Sequence, residues 1–360
     1  MNTPAKIIIA PDSFKGTANA DQAAQWLAHG VQEVLDCEVV LAPMADGGEG
    51  TATRFTGTDV TLPTTDALGR LIEASYRFDE PTATAYIDVA AASGITLIDA
   101  PRPLTADTYG TGVLIADAQS RGARTIVLGL GGTATTDGGS GILVALGANL
   151  VDAQGHCIPQ GGEGLRQLDH IDTAMLNIPA AAVQWVLLSD VDNPATGPQG
   201  SAACFGPQKG ASAEDVEKLD AGLARLCEIT GVDPNTPGLG AAGGVAIGIT
   251  WLSAMLHGEP QVQILPGAKV IAEAAGLGDM DADLIITGEG RFDQQSTRGK
   301  VVGTILDMAG STPVAIVAGS HDAQADAWQI TLGDGDPETQ LVDAGRVVAQ
   351  RFASMFTNQG

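Results

Sequence analysis

The chain has 360 residues, enough for two domains, and its 44% hydrophobic content with a mean hydropathy of +0.13 supplies ample material for buried cores. Eighteen Lys and Arg against 43 Asp and Glu leave a net charge of −25, which repels nucleic-acid backbones, and no basic run compensates for it. The four cysteines form no C-x-x-C pair, the five histidines make no metal motif, no apolar run can span a bilayer, and the N-terminus lacks a signal-peptide core. The expectation is a cytoplasmic protein with no nucleic-acid and no membrane partner; its oligomeric state is open, a homo-oligomer included.

Lys6–Ala10 is apolar enough for a buried strand and ends in the loop Pro11–Thr17, which holds Asp12, Ser13 and Lys15. Asn19 or Asp21 can cap the helix expected over about 21–35, where Trp26, Leu27, Val31 and Leu35 recur at helical spacing. Val39–Ala42 is a second strand, and Pro43–Thr51 a second loop, of glycines and the acids Asp46 and Glu49. Strand, helix and strand make a βαβ unit. From Asp59 to Val89 the pattern changes to extended segments broken at Leu68-Gly69 and Pro81, which predicts antiparallel β structure. A helix from about Gly110 to Arg121 then leads to the apolar run Thr125–Leu130.

That run opens the densest motif of the chain. Gly129–Gly141 packs six glycines, four hydroxyl residues and Asp137 into thirteen positions. Glycine lets backbone N–H groups approach a ligand closely, and such a loop at a strand end is a natural seat for phosphate oxygens. A tight strand-to-helix turn without a ligand is the plainer alternative.

Asn149–Asp152 with the turn Gln154-Gly155 reads as a hairpin, and Val183–Leu188 as a strand running into Ser189–Pro194 with Asp190 at its end. Helices are expected over 213–229, introduced by Ser212, and over 244–256. Alternation then resumes: a helix over 267–275, the strand Leu284–Thr287, a loop Gly288–Asp293, a helix over 301–309, strands at 314–318 and 330–332, and a closing helix over 341–355. The two N-terminal and three C-terminal strands predict one parallel sheet of flavodoxin-like order, 2-1-3-4-5. The fold class is therefore α/β with two domains. Residues 1–45 and 260–360 form the flavodoxin-like sheet, and 46–259 form an inserted mixed α/β domain that carries the main glycine-rich loop.

In open α/β sheets ligands collect outside the carboxyl ends of the strands. Acids, a few cations and glycine amides there are what phosphoryl transfer asks for. Three of the six lysines, Lys15, Lys209 and Lys300, adjoin a glycine in loop-like segments. Each residue also has a plainer reading: Asp12 and Asp46 as turn caps, Arg291 with Asp293 as a local ion pair, Lys300 as a surface cation. No Walker-type G-x-x-x-x-G-K-[ST] occurs. Gly129-x-Gly131-x-x-Ala134, with Asp152 further on, imitates a dinucleotide fingerprint and supports an NAD-dependent hydroxy-acid dehydrogenase as the alternative, although the following DGGSG ill suits a Rossmann helix. A non-catalytic sensor of small acids is a third reading, disfavoured by acids at three separate strand ends.

Taken in order, IIIAPDSFKGT, PMADGGEGT, LTADTYGTGVLI, LGLGGTATTDGGSGILVALGA, SDVDNPATGPQGSAACFGPQKGA, GAAGGVA, ITGEGRFDQQSTRGK and VAIVAG closely resemble the type 1 glycerate kinase family, from about Ile7 to Ser320. The resemblance implies ATP-dependent phosphorylation of D-glycerate with Mg²⁺ on a two-domain α/β architecture, with 2-phosphoglycerate as the product and 3-phosphoglycerate as the alternative. Thr136 departs from an asparagine usual in the family, and Asp88 from a glutamate.

Roles within that frame follow from residue chemistry. Asp190 is the favoured acceptor of the hydroxyl proton, with Asp293 second. Lys15 and Lys209 neutralise the phosphoryl group. Arg291 pairs with the glycerate carboxylate, with Ser13 and Thr136 as further substrate contacts. Gly131, Gly132, Thr133, Asp137, Gly138 and Gly139 cradle the nucleotide, and Asp46 and Glu49 hold Mg²⁺ with its waters. The substrates are expected to meet in a cleft between the domains.

Overall fold

A computed structural model describes residues 4–14, 16–279, 281–297 and 300–357. The chain divides into two compact units, Met1–Asp46 with Pro266–Gly360, and Gly47–Leu265. In chain order the strands are β1 (Lys6–Ile9), β2 (Glu38–Leu41), β3 (Thr58–Thr65), β4 (Leu71–Asp79), β5 (Thr84–Asp88), β6 (Thr125–Gly129), β7 (Asn149–Val151), β8 (His170–Asp172), β9 (Gln184–Leu188), β10 (Val262–Leu265), β11 (Leu284–Phe292), β12 (Val314–His321) and β13 (Trp328–Thr331). No helix among the described residues is long and apolar enough to cross a membrane.

The first unit is built on a five-stranded sheet of order β13-β12-β11-β1-β2, parallel throughout. Counted along this unit, that is the 2-1-3-4-5 order predicted for its strands. β1 is a run of isoleucines because both of its faces are covered. Ile7 and Ile9 join a core with Leu27, Val31, Leu341 and Val348 from the helices Ala20–Gln32 and Pro337–Thr357, while Ile8 is buried on the opposite face. Asn19, not Asp21, caps the first helix. Its side chain accepts from Gln22 N at 2.8 Å, and the Gln22 side chain accepts from Asn19 N at 3.1 Å, a reciprocal capping box. The two helices approach closely where each carries a glycine: a Cβ at Gly30 would stand 1.9 Å from the Val342 carbonyl oxygen, and one at Gly345 2.3 Å from that of Leu27.

β11 corrects the sequence reading. Gly288–Phe292, expected as a loop, continues the strand, because β12 also runs on to His321 and the ladder holds register from Gly288↔Val317 to Phe292↔His321. Phe292, fully buried, anchors that extension. Since side chains alternate along a strand, Glu289 and Arg291 share the face opposite Phe292.

The second unit holds a six-stranded sheet of order β10-β9-β6-β5-β4-β3, parallel from β10 to β5 and antiparallel across β5, β4 and β3. The predicted change from βαβ to antiparallel β is thus present. Its core includes Tyr76, Ile87, Leu114, Ile126, Leu128, Trp185 and Leu187. Two details differ from expectation. The chain does turn back after Val151, bridging to Cys157, but the ladder partner of β7 is β8. β10, with glutamine interrupting its apolar residues, escaped the sequence reading and adds a parallel edge beside β9. The helix Ala213–Thr230 is capped by Ser212 as expected, with Asp215 completing the box.

Candidate active site

At the carboxyl edge of the first unit's sheet lies a cavity of about 700 Å³. Asp12, Ser13 and Phe14 reach it from the segment after β1, Asp46 from the segment after β2, Glu289, Arg291 and Asp293 from β11 and its end, and Lys300 from the start of the helix Val301–Ala309. The strand order reverses between β1 and β11, and that crevice is the usual ligand position of such a sheet. Six sequence candidates therefore come together here: Ser13, Asp46, Arg291, Asp293 and, among the residues noted without a role, Asp12 and Lys300. Lys15 lies outside the described residues.

The cavity's charges are bound to different degrees. Arg291 donates from Nε to Asp322 at 2.7 Å, lies 4.0 Å from Asp293, and is 68% exposed. Its two Nη groups make no protein hydrogen bond among the described residues. Asp293 is a turn acid: its Oδ1 accepts from Gln295 N at 2.8 Å and Ser296 N at 3.3 Å, and the Gln295 amide above all holds its carboxyl below the ordinary aspartate value. Those amides make it less ready to take a proton than Glu289 beside it. Glu289, to which the sequence reading gave no role, is pushed the other way. Burial raises its carboxyl above the ordinary glutamate value, with Asp293 and Asp46 adding to the rise and Ser296 and Lys300 opposing it. Its Oε1 is buried with no hydrogen-bond partner among the described residues. The GEGRFD string held Glu289 in view; the continuation of β11 as a strand places it on the face it shares with Arg291.

The glycine-rich segment of the second unit has a different character. Only Gly131 and Gly132 reach its surface; residues 133–140 are buried. Asp137, expected to face a nucleotide, turns inward and is fully buried. Its Oδ2 accepts from Thr108 N at 2.9 Å, Thr108 Oγ1 at 2.8 Å and Gly141 N at 3.0 Å, and its Oδ1 from Gly139 N at 3.2 Å. Gly138 N donates to the Gly243 carbonyl at 2.9 Å. A Cβ at Gly138 would meet Leu226 Cδ2 at 2.4 Å, and one at Gly139 the Val245 carbonyl oxygen at 2.8 Å. Thr133 and Thr136 are buried as well, and the Thr136 hydroxyl has no partner among the described residues. The nucleotide contacts expected of Thr133, Asp137, Gly138 and Gly139, and the substrate contact expected of Thr136, are therefore corrected: these residues pack the interior, and the glycines are there because neighbouring chain leaves no room for a Cβ.

Lys209 belongs to this interior. It is 4% exposed, donating from Nζ to the Thr135 carbonyl at 2.6 Å and Thr133 Oγ1 at 3.1 Å. Burial lowers its ammonium to about 8, with the nearby Asp137 charge opposing the shift. Lys209 thus braces the loop, and its expected contact with a transferring phosphoryl group gives way to that role. Asp88 does the same for the segment with Glu49: its carboxylate accepts from Gly50 N and Ala52 N, each at 2.8 Å, while burial pushes it up to about 7. Gly131 N in turn donates to the Gly47 carbonyl at 2.9 Å, tying the two glycine segments together. Asp190 lies half-buried two residues beyond β9.

The dehydrogenase alternative fails on geometry. The segment after β6 opens no helix until Ser140, that helix ends at Ala145, and the chain continues into the separate β7–β8 pair. Asp152, the expected ribose ligand, instead closes a turn through Gln154 N and His156 N, each at 2.9 Å from its Oδ1.

Comparison with known proteins bears on the same residues. The model of the glycerate kinase family matches residues 7–333. A glycerate kinase of Halalkalibacterium halodurans is 38% identical over 337 residues, covering 89% of this chain and 86% of that protein. A glycerate 2-kinase of Escherichia coli is 39% identical over 331 residues, covering 88% and 85%. The crystal structure of a Salmonella typhimurium LT2 protein assigned as glycerate kinase 2 superposes with a TM-score of 0.81 at 35% identity, covering 99% of this chain and all of that one.

Proposed function

The chain belongs to the glycerate kinase family, and on that premise we propose that it transfers the γ-phosphoryl group of ATP to D-glycerate with Mg²⁺, giving 2-phosphoglycerate. The observation that carries this reading is the first unit's cavity, where carboxylates and two cations converge at the switch point of a parallel sheet. Phosphoryl transfer depends on positioning and charge neutralisation more than on covalent chemistry, and this donor set supplies both.

Arg291 binds the glycerate carboxylate. Asp322 occupies its Nε and orients the guanidinium, while the paired Nη groups match a planar carboxylate. Ser13 supplies a second polar contact. Lys300, with Lys15 proposed from sequence, neutralises the transferring group. Mg²⁺ prefers oxygen ligands and keeps most of its waters, so the all-carboxylate acids of the cavity suit it; Asp46 is the residue we assign to it. Glu49 belongs to the second unit, where it neighbours Asp88, and we give it no role in that cavity. Gly132, the exposed residue of the glycine segment, is the one we assign to nucleotide phosphate, since the Gly131 amide is already given to the Gly47 carbonyl. The 2-phosphate product follows the name of the Escherichia coli relative and the chemistry: the C2 hydroxyl is the one adjacent to the anchored carboxylate. We assign the reaction to the cytoplasm, where ATP is made and where the four unpaired cysteines stay reduced.

A coupled ADP-release assay with D-glycerate, ATP and Mg²⁺, followed by ³¹P NMR of the product, tests the proposal. Glycerate-dependent ADP release and a 2-phosphate resonance are expected. A 3-phosphate resonance overturns the regiochemistry, and no glycerate-dependent ADP overturns the reaction.

A further inference from the structure

We infer that Glu289 is a catalytic residue, the group that takes the proton from the glycerate hydroxyl as that oxygen attacks the γ-phosphorus. The inference rests on the kinase reading of the first unit's cavity. In the step, the hydroxyl oxygen forms a bond to phosphorus and the bond from phosphorus to the β–γ bridging oxygen breaks. Its electron pair leaves on ADP, and the hydroxyl proton passes to the Glu289 carboxylate, which releases it to water once the product has gone.

Placement comes first. Glu289 stands on β11 beside the strand-order reversal, on the same strand face as Arg291 and two residues from it. At a strand rise of about 3.3 Å per residue the two Cα atoms are roughly 7 Å apart, so a carboxylate held by Arg291 leaves the adjoining carbon's hydroxyl within reach of Glu289. Partners come second. A buried carboxylate oxygen without a donor is uncommon in a folded protein, and Oε1 of Glu289 is one among the described residues. A substrate hydroxyl is a donor of the right kind, met when the side chain turns into the cavity that it lines.

The surroundings make it a better base than its neighbours. Asp12 and Asp46 face the cavity from the segments after β1 and β2, Arg291 from its own strand, Asp293 from just beyond that strand, Lys300 from the start of the following helix and Asp334 from beyond β13. Burial, the largest influence, raises Glu289 above an ordinary glutamate, with Ser296 and Lys300 opposing the rise. A raised carboxylate accepts a proton more readily in the transition state. Asp293, held low by the backbone amides of its own turn, lacks that advantage. Asp190, beyond β9 in the second unit, is the competing assignment.

The test compares kcat against pH for the wild type, Glu289→Gln, Glu289→Asp and Asp190→Asn, with KM for D-glycerate and thermal melting measured alongside. Loss of a general base costs roughly 10²- to 10⁴-fold in rate. Glu289→Gln is expected to lose at least 10²-fold in kcat with KM for D-glycerate within threefold of wild type, and to lose the acid limb of the profile. Glu289→Asp keeps intermediate activity with that limb displaced, and carries the test if Glu289→Gln melts early. Asp190→Asn keeps the limb. An intact acid limb and near-normal kcat in Glu289→Gln overturn the assignment, as does loss of the limb in Asp190→Asn. A wild type without glycerate-dependent turnover overturns the kinase reading itself, and is seen before any variant is compared.

Discussion

Two regions drew the same chemical expectation, and they turn out to be opposites. In the glycine segment of the second unit the charged groups are saturated: Asp137 accepts from three backbone or side-chain donors at 3.0 Å or less, Lys209 is spent on Thr133 and Thr135, and the glycines pack against side chains and carbonyls. The carboxyl edge of the first unit is unsaturated: Arg291 keeps two Nη groups without protein partners among the described residues, and Glu289 keeps a buried oxygen without one. Polar groups that complete one another hold a fold; polar groups left incomplete at a strand edge are available to a substrate. Glycine density alone does not separate these cases, because close packing and ligand approach both exclude a Cβ.

Substitutions can sharpen or break that contrast. The largest effect is expected of Asp137→Ala. It leaves the amides of Thr108, Gly139 and Gly141 and the Thr108 hydroxyl without their acceptor, and stability should fall by about 3 to 5 kcal/mol in chemical denaturation. A loss below about 1 kcal/mol would mean that the segment is not held as described. Lys209→Met tests the same interior through pH. In the folded chain Lys209 titrates near 8 rather than at the ordinary 10.5, so between those values the unfolded chain binds a proton that the folded one has released. Wild type should therefore gain stability relative to Lys209→Met as pH rises across that window, by on the order of 3 kcal/mol, and show a constant difference below pH 7. A difference that stays flat to pH 10.5 contradicts the burial of a charged ammonium.

Gly138→Ala and Gly132→Ala form the next pair. Both residues have positive φ, 66° and 76°, but a Cβ at Gly138 strikes Leu226 whereas one at Gly132 makes ordinary contact with Ala90 at 3.4 Å. Gly138→Ala should be the more destabilising by about 1 to 3 kcal/mol, while Gly132→Ala, in the exposed part, should raise KM for ATP. Equal melting temperatures for the two would remove the distinction between packed and exposed halves. The smallest effect is expected of Thr136→Val. An unpartnered buried hydroxyl replaced by a methyl of similar shape should leave stability within about 1 kcal/mol of wild type or slightly above it, with glycerate KM unchanged.

The sequence made much of the fold legible. Apolar runs such as that of β1, turn residues, and caps such as Ser212 located most elements, and alternation of strand and helix at both ends of the chain gave the parallel sheet order. Its failures have local causes. Gly288 and Gly290 read as loop residues because glycine lowers strand propensity, yet the neighbouring ladder of β12 carries them. β10 was missed because Gln261 and Gln263 break its hydrophobic pattern at an edge. The candidate site was legible as a set of strand-end loops but not residue by residue. Whether an acid such as Asp137 or Glu289 faces its own backbone or a cavity depends on partners contributed from elsewhere in the chain, the Thr108 donors in the one case and the Ser296 hydroxyl and Lys300 charge in the other. Composition near an acid does not encode that choice.

The most direct test of where glycerate binds is steady-state kinetics of Arg291→Met with D-glycerate and ATP varied separately. The side chain is 68% exposed, so the fold should be unaffected and melting should match wild type. Loss of a paired, charge-assisted contact of about 1.5 to 3 kcal/mol predicts a rise in glycerate KM of about 10- to 10²-fold with ATP KM within twofold of wild type. An unchanged glycerate KM, or a rise confined to ATP, would contradict the assignment of the first unit's cavity to the glycerate carboxylate.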